Sequence, residues 1–368
     1  MCEIRIDANS PTFLENAQTK GGKVRNYMDY SGVDFKQISK RQLSEIVLQE
    51  YDHCSKSLVH MSEKKRNLVY GKQVLLIGLI EFSNYCKNGC YYCGINIANT
   101  NLLRYRLSDD EIVTCCRNAY SKGIRTFMLQ SGEDPFYCTE YVANIIKRIK
   151  ENLPDCTIAL SIGELNEKAY EEIFAVGTDM YMLRHETINE YHYSLLHPPQ
   201  QTLGKRLSCI KMLQKIGCRV GIGFMVGSPW QKLDDLTEEL LFIRDMSPDM
   251  VSVGPFIPHN DTFFKDQQVG SVATTKALMA LIRLLQPDVM LPLTTATKTL
   301  LMDDGMECLP YANVLMPNIT PVLYQKQYSL YNGKTRDDIT QKDEITCLIQ
   351  NIRAMGYEPI YKSNACKG

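Results

Sequence analysis

The sequence predicts an α/β protein: a (β/α)8 barrel of the TIM type with an N-terminal helical lead-in. Two observations carry this. From Gln73 onward, eight short apolar runs alternate with longer amphipathic stretches, and near-continuous apolar strands suit a parallel sheet buried on both faces. The residues able to do chemistry also concentrate just after those runs, on the face where such barrels carry active sites. No low-complexity tract or short-period repeat interrupts the pattern, so one catalytic domain accounts for it.

Taken in order, residues 1 to about 38 are polar, weakly patterned and carry Gly21-Gly22, which reads as extended or partly disordered chain. Ser39 then precedes Leu43, Ile46, Val47, Glu50 and Tyr51 at helical spacing, and a second helix is expected over Ser55 to Arg66. Both should pack on the bottom or side of the barrel. The predicted strands are Leu75–Phe82, Arg125–Gln130, Thr157–Ile162, Asp179–Leu183, Cys218–Met225, Met250–Gly254, Met290–Thr294 and Asn313–Met316. Helical patterns between them include Ser108–Lys122, Thr139–Asn152, Glu167–Ala175, Leu203–Ile216 and Leu233–Met246. The expected divisions are 1–72 for the lead-in, 73–322 for the barrel and 323–368 for a C-terminal helical cap. In that cap Tyr324, Tyr328 and Tyr331, spaced by four and three, would share one helical face, lining the cavity mouth or packing as a lid.

The chain has 368 residues, 44% of them hydrophobic and 23% charged, which is ample for a large core. A net charge of −1 offers no field for nucleic acid or an anionic membrane. Neither a signal peptide nor a run long enough to span a membrane is evident. Fourteen cysteines without a secretion signal point to a reducing compartment, the cytoplasm or a reducing organelle.

The chain is organised around Cys86-Lys87-Asn88-Gly89-Cys90-Tyr91-Tyr92-Cys93, directly after the first predicted strand. Thiolates are the usual ligands of iron–sulfur clusters, and a cubane needs four. Three clustered cysteines leave one iron open for a bound molecule. A structural zinc site, or a chance cluster, is the alternative, but no second C-x2-C half-site is present. The C-x3-C-x2-C spacing, with an aromatic residue before the last cysteine, resembles the radical S-adenosylmethionine (SAM) enzymes. There the open iron of a [4Fe–4S] cluster chelates SAM, and an electron from an external donor cleaves it to a 5′-deoxyadenosyl radical.

The strand-end loops add candidates. Gln130-Ser131-Gly132-Glu133-Asp134-Pro135 follows the second strand, and a glycine there admits close approach. Arg184 and Glu186 are two apart and so face one side, with His185 pointing away as a structural residue. A lumen-facing arginine and carboxylate need partners. A zwitterionic ligand would supply them, with Arg206 beside it; an internal Glu186–Arg206 salt bridge is the structural alternative. Gly221 and Gly223 leave one strand face bare, for a ligand or for tight packing. His259 is a wall or surface-turn residue, and Thr294 and Thr295 present hydroxyls.

Ile80 to Asn84, Gln130 to Pro135, Leu183 to Thr187, Gly254 to His259, Thr294-Thr295 and Met316-Pro317-Asn318 together resemble the HydE family of [FeFe]-hydrogenase maturases, in the biotin-synthase-like branch. The similarity runs from about residue 70 to the C-terminus. It implies that Cys86, Cys90 and Cys93 hold the catalytic cluster and that Gln130, Gly132 and Glu133 grip the SAM amino group. Glu186 and Arg206 would hold the rest of SAM, while Tyr92, Met225, Val226, Met316 and Tyr328 border it. Arg184, Thr294, Thr295 and Tyr331 would meet the substrate. It further implies an iron–cysteine carbonyl/cyanide precursor as substrate, delivered by a HydG-like partner ahead of a HydF-like scaffold. The chain also departs from the pattern. Met180 stands where some members carry arginine and Ala159 where some carry threonine, both expected to face or border the cavity. This keeps a methylornithine-synthase-like mutase or a biotin-synthase-like sulfur insertion as alternatives. Only Cys347 remains near the family's second cluster motif, Cys308 and Cys366 being too distant, so a second cluster is not expected.

Overall fold

The computed structural model describes residue 30 and residues 32–301, 305–334 and 344–362. Eight parallel strands form one sheet: β1 (Gln73–Ser83), β2 (Thr126–Ser131), β3 (Thr157–Ser161), β4 (Met180–Met182), β5 (Arg219–Val226), β6 (Met250–Pro255), β7 (Val314–Leu315) and β8 (Glu358–Ile360). The order is β6-β5-β4-β3-β2-β1-β7, with β8 also on β1. Each strand from β1 to β6 is followed by helix, and each from β1 to β5 pairs with the next, as right-handed βα units require.

The expected strand Met290–Thr294 exists only as bridges, Met250↔Met290 and Pro292↔Val314. Pro292 has no N–H to give a ladder, which explains the interruption. Backbone hydrogen bonds Val251 N→Met290 O at 2.9 Å and Leu293 N→Val314 O at 3.0 Å still close the ring there. The sheet is therefore a TIM-type barrel with one stave reduced to contacts. β8 lies outside the expected set: Gln73↔Glu358 and Leu75↔Ile360 pair it to β1 below Ile77, where β2 begins.

Inward positions alternate along the strands. At the bottom, Leu75, Ile77, Leu79, Met128, Ala159, Met180, Met182, Met250, Met290 and Val314 form one apolar plug. Met180 and Ala159 thus face the lumen, as expected, but inside this plug. The bare faces of Gly221 and Gly223 serve tight packing. A Cβ on Gly221 would lie 2.7 Å from Met182 Cε, and one on Gly223 would lie 3.0 Å from Arg184 Nη1.

The lead-in helices Lys40–Glu50 and Lys56–Tyr70 pack on the side of the barrel, against helices Leu233–Met246 and Val272–Leu285. Ser39 caps the first with a reciprocal Gln42 contact. The polar stretch before it lies mostly outside the described residues. Its end is not loose, however: Tyr30, Phe35 and Ile38 are buried, and Tyr30 Oη donates to Glu50 Oε1 at 2.6 Å.

The expected helix carrying three tyrosines is corrected. Helix Val322–Gln325 ends before Tyr328, and the chain then turns across the barrel mouth. Tyr324 stacks on Tyr105 at 4.8 Å, Tyr328 is buried beside Gln130, and Tyr331 Oη donates to Thr295 Oγ1 at 2.6 Å. Helix Glu344–Ala354 leads to β8 at the opposite end.

Candidate active site

The loop after β1 carries the three cysteines and is pinned by its backbone to three other strand-end segments. Lys87 N donates to Glu133 O at 2.9 Å, Tyr91 N to Leu196 O at 3.0 Å and Gly94 N to Leu330 O at 2.8 Å. From within, Arg104 bonds the carbonyls of Ile95 at 2.8 Å, Asn96 at 2.6 Å and Asn99 at 3.1 Å. Two glycines make the fit. A Cβ on Gly132 would lie 2.2 Å from Tyr85 O and 2.7 Å from Cys86 Cβ; one on Gly94 would lie 2.2 Å from Ser329 O and 2.4 Å from His259 Cδ2. What Gly132 admits is thus the chain's own cysteine loop. His259 is no surface turn residue; it is buried, and its Nε2 lies 3.0 Å from Ser329 Oγ.

Cys86, Cys90 and Cys93 are free thiols. Burial raises all three, Cys90 to about 11 despite the Gln201 side chain at 3.4 Å from its sulfur. Loading metal here must therefore displace thiol protons. Among the described residues no three His, Cys, Asp or Glu side chains gather closely enough for one ion. A cubane takes one thiolate per iron, a demand that Cys86, Cys90 and Cys93 on one loop can meet at three of its corners.

Beside the loop stands an ionic wall. Arg184 meets Glu186 through Nε at 2.8 Å and Nη2 at 3.0 Å. Its remaining donors reach Ser252 O and Oγ at 2.8 Å and Phe224 O at 2.9 Å. Every nitrogen of Arg184 is thus committed to the protein. Burial opposes ionisation of Glu186, but Arg184 outweighs it and holds the carboxyl below the ordinary value. Glu186 takes φ of 66°, a left-handed conformation rare outside glycine and a mark of a built site. His185 points outward, its Nε2 at 2.7 Å from Glu239 Oε2 in a fully buried pair.

Arg206 does not pair with Glu186. Its Nε donates to Glu164 Oε1 at 2.8 Å and its Nη1 to Arg184 O at 2.6 Å, with Glu133 Oε1 at 3.9 Å from Nη2. Burial disfavours this guanidinium's charge, yet neighbouring groups including Glu164 and Glu133 raise it. Glu133 in turn accepts from Glu164 N at 3.0 Å and has Lys87 at 3.3 Å. Glu164 is a wall residue the sequence reading passed over, although it follows β3 as Glu133 follows β2. The rule that found one would have found the other.

The remaining candidates ring the same lumen. Tyr92 is edge-on to His197, and Met225 packs with Tyr91, Tyr92, Phe256 and Phe264. Val226 turns its side chain into the outer core, leaving only its backbone on this side. Met316 borders the apolar plug, Gln130 Nε2 lies 3.4 Å from Tyr328 Oη, and Thr294 Oγ1 lies 2.9 Å from Thr297 Oγ1. A second ion pair was also missed: Lys334 Nζ reaches Glu81 Oε1 at 2.7 Å, with Asn318 Nδ2 at 2.9 Å from Oε2. Its partners are too far apart in sequence to signal each other. Cys347 is exposed on helix Glu344–Ala354, Cys308 is buried, and Cys366 lies outside the described residues.

A profile of the radical SAM superfamily matches residues 80–243. The [FeFe]-hydrogenase maturase subunit HydE of Thermotoga maritima is 39% identical over 310 residues, covering 83% of this chain and 87% of the relative. The chain belongs to the radical SAM superfamily, in its HydE family. The 3-methylornithine synthase of Methanosarcina acetivorans is 26% identical over 88% of this radical SAM chain and 91% of its own. In fold, methylornithine synthase superposes with a TM-score of 0.72 at 23% identity, over 88% of this chain and 91% of that one. The maturase HydG of Carboxydothermus hydrogenoformans gives 0.74 at 20% identity, over 90% and 77%. The radical SAM family brings with it a [4Fe–4S] cluster and SAM, and Cys86, Cys90 and Cys93 are the residues here that fit the cluster. Among the described residues, no helix is long and apolar enough to cross a membrane.

Proposed function

We propose that this protein is a radical SAM maturase that cleaves SAM reductively while building the diiron cofactor of [FeFe]-hydrogenase. One observation carries the reading: a three-thiol loop is locked onto an ionic wall, in a chain 39% identical to a HydE over most of its length. When bound, the cluster and SAM together supply one-electron cleavage of the sulfonium. Three thiolates leave the fourth iron for SAM, and no second cluster forms. Glu133 and Arg206 receive the amino and carboxylate ends of SAM, with Glu186 and Tyr92 beyond them. The substrate occupies the lumen between this wall and Thr294, Thr295 and Tyr331. Arg184 does not grip substrate directly; it holds Glu186 charged and aimed. The walls exclude water from the radical chemistry, which belongs to the cofactor. HydG- and HydF-like proteins and an external electron donor are its partners, and it works in a reducing compartment, the cytoplasm in a bacterium.

Anaerobically reconstituted protein should be brown, bind about four irons per chain and release 5′-deoxyadenosine on reduction. Added to an in vitro maturation mixture lacking HydE, it should restore hydrogenase activity. SAM cleavage without any rescue would leave the enzyme class standing and remove the maturation role. Met180 in the apolar plug, where some family members carry arginine, favours one second reading, a mutase on a small amino acid; carbon-skeleton rearrangement of lysine would establish it.

A further inference from the structure

Four buried side-chain atoms among the described residues lack a hydrogen-bond partner: Ser62 Oγ, Glu81 Oε1, His185 Nδ1 and Tyr193 Oη. Ser62 belongs to the lead-in helix Lys56–Tyr70, far from the wall in sequence and element. Glu81 Oε1 has the Lys334 ammonium against it at 2.7 Å. The His185 ring lies in the outer layer against Phe242. Tyr193 has no such explanation.

Its ring is fixed. Tyr193 is 1% exposed and stacks on His197 with centroids 3.9 Å apart and planes 18° from parallel. His197 Nδ1 in turn donates to the Tyr193 carbonyl at 2.9 Å, and Tyr92 Oη lies 3.3 Å from His197 Nε2. The hydroxyl therefore cannot swing away to find another partner. Tyr193 lies on helix Glu190–Leu196, whose last carbonyl accepts from Tyr91 N of the cluster loop at 3.0 Å and which packs on helix Leu203–Ile216, the helix that carries Arg206. Arg206 commits Nε and Nη1 to Glu164 and Arg184, while its Nη2 finds only Glu133, at 3.9 Å. Two donors on adjacent helices, one phenolic and one cationic, are thus short of an acceptor. A buried polar group left so is costly unless a ligand completes it.

We propose that the Tyr193 hydroxyl donates a hydrogen bond to the carboxylate of SAM, beside Arg206 Nη2. This rests on the radical SAM assignment and on nothing in the maturation reading. The test is Tyr193→Phe, which keeps the ring and its stack. In the reconstituted, unreduced protein, SAM affinity measured by equilibrium dialysis should fall about tenfold. Decarboxylated SAM, used as the second probe, should bind wild type and variant alike. Iron content should match wild type, and the melting temperature without SAM should hold or rise, because an unpaired buried hydroxyl has been removed. Unchanged SAM affinity would overturn the proposal, as would an equal loss for both probes or a drop in iron content or SAM-free stability. Because every readout concerns cofactor binding, failure of hydrogenase maturation would leave the result untouched.

Discussion

The two halves of the barrel lumen make opposite use of the same geometry. Below, inward side chains from all around the ring are hydrocarbon or thioether, and the plug of Leu75, Ile77, Met128, Met180, Met250 and their neighbours contains no charge. One or two inward positions higher stand Glu81, Gln130, Arg184, Glu186, Ser252 and Thr294, with ion pairs at 2.7 and 2.8 Å. A single step of the strand alternation separates a region that holds the barrel together from one that holds molecules. Confining stability to the bottom leaves the top free to carry strain such as the left-handed backbone of Glu186.

The contrast can be broken most violently at the cluster loop. Cys90→Ala should abolish brown colour and 5′-deoxyadenosine release while sparing the fold by circular dichroism, because Cys90 belongs to the chemistry of the upper half. In the ionic wall, Glu186→Gln leaves the half-buried Arg184 guanidinium without its counter-charge and should cost about 2 kcal/mol in urea denaturation. That variant also flattens the pH dependence. The folded carboxyl of Glu186 is held below the ordinary 4.5, so its contribution is complete above that value and is lost as pH falls through the lower folded one. Wild type should therefore destabilise in acid more steeply than Glu186→Gln. In the plug, Met180→Ala should cost about 2 kcal/mol through the cavity it leaves, with iron content and SAM affinity unchanged. A loss of SAM affinity there would mean the halves are not separate. The exposed Lys40–Glu238 pair, outside both halves, sets the baseline: Lys40→Met should leave the urea midpoint where it is in wild type.

The same division explains what could be read in advance. Strands buried on both faces write themselves as apolar runs, so β1 to β6 were legible. The stave at 290–294 was legible as a run, but its collapse to bridges followed from Pro292. β8, three residues long, carries no local signal at all; its pairing is a tertiary fact. In the upper half, Glu133, Arg184, Glu186 and Arg206 could be found because charge after an apolar strand is anomalous. Which arginine meets which carboxylate could not, since that depends on side-chain reach across neighbouring strands. Tyr193 was invisible for the opposite reason: a tyrosine on an amphipathic helix looks like packing, and only its unpaired oxygen distinguishes it.

The pairing of β1 has a consequence for how the molecule is made. This strand leads straight into the cysteine loop, yet it finds β7 only at Val314 and β8 only at Glu358. Contacts separated by more than two hundred residues form late and slowly. While the chain emerges from the ribosome, one edge of the first strand stays unpaired until residues 314–360 have followed. The mouth strap that meets Gly94 arrives in the same interval. Of the cysteine loop's backbone pins, those at Glu133 and Leu196 precede the strap in the chain, so the one at Leu330 is the last that can form.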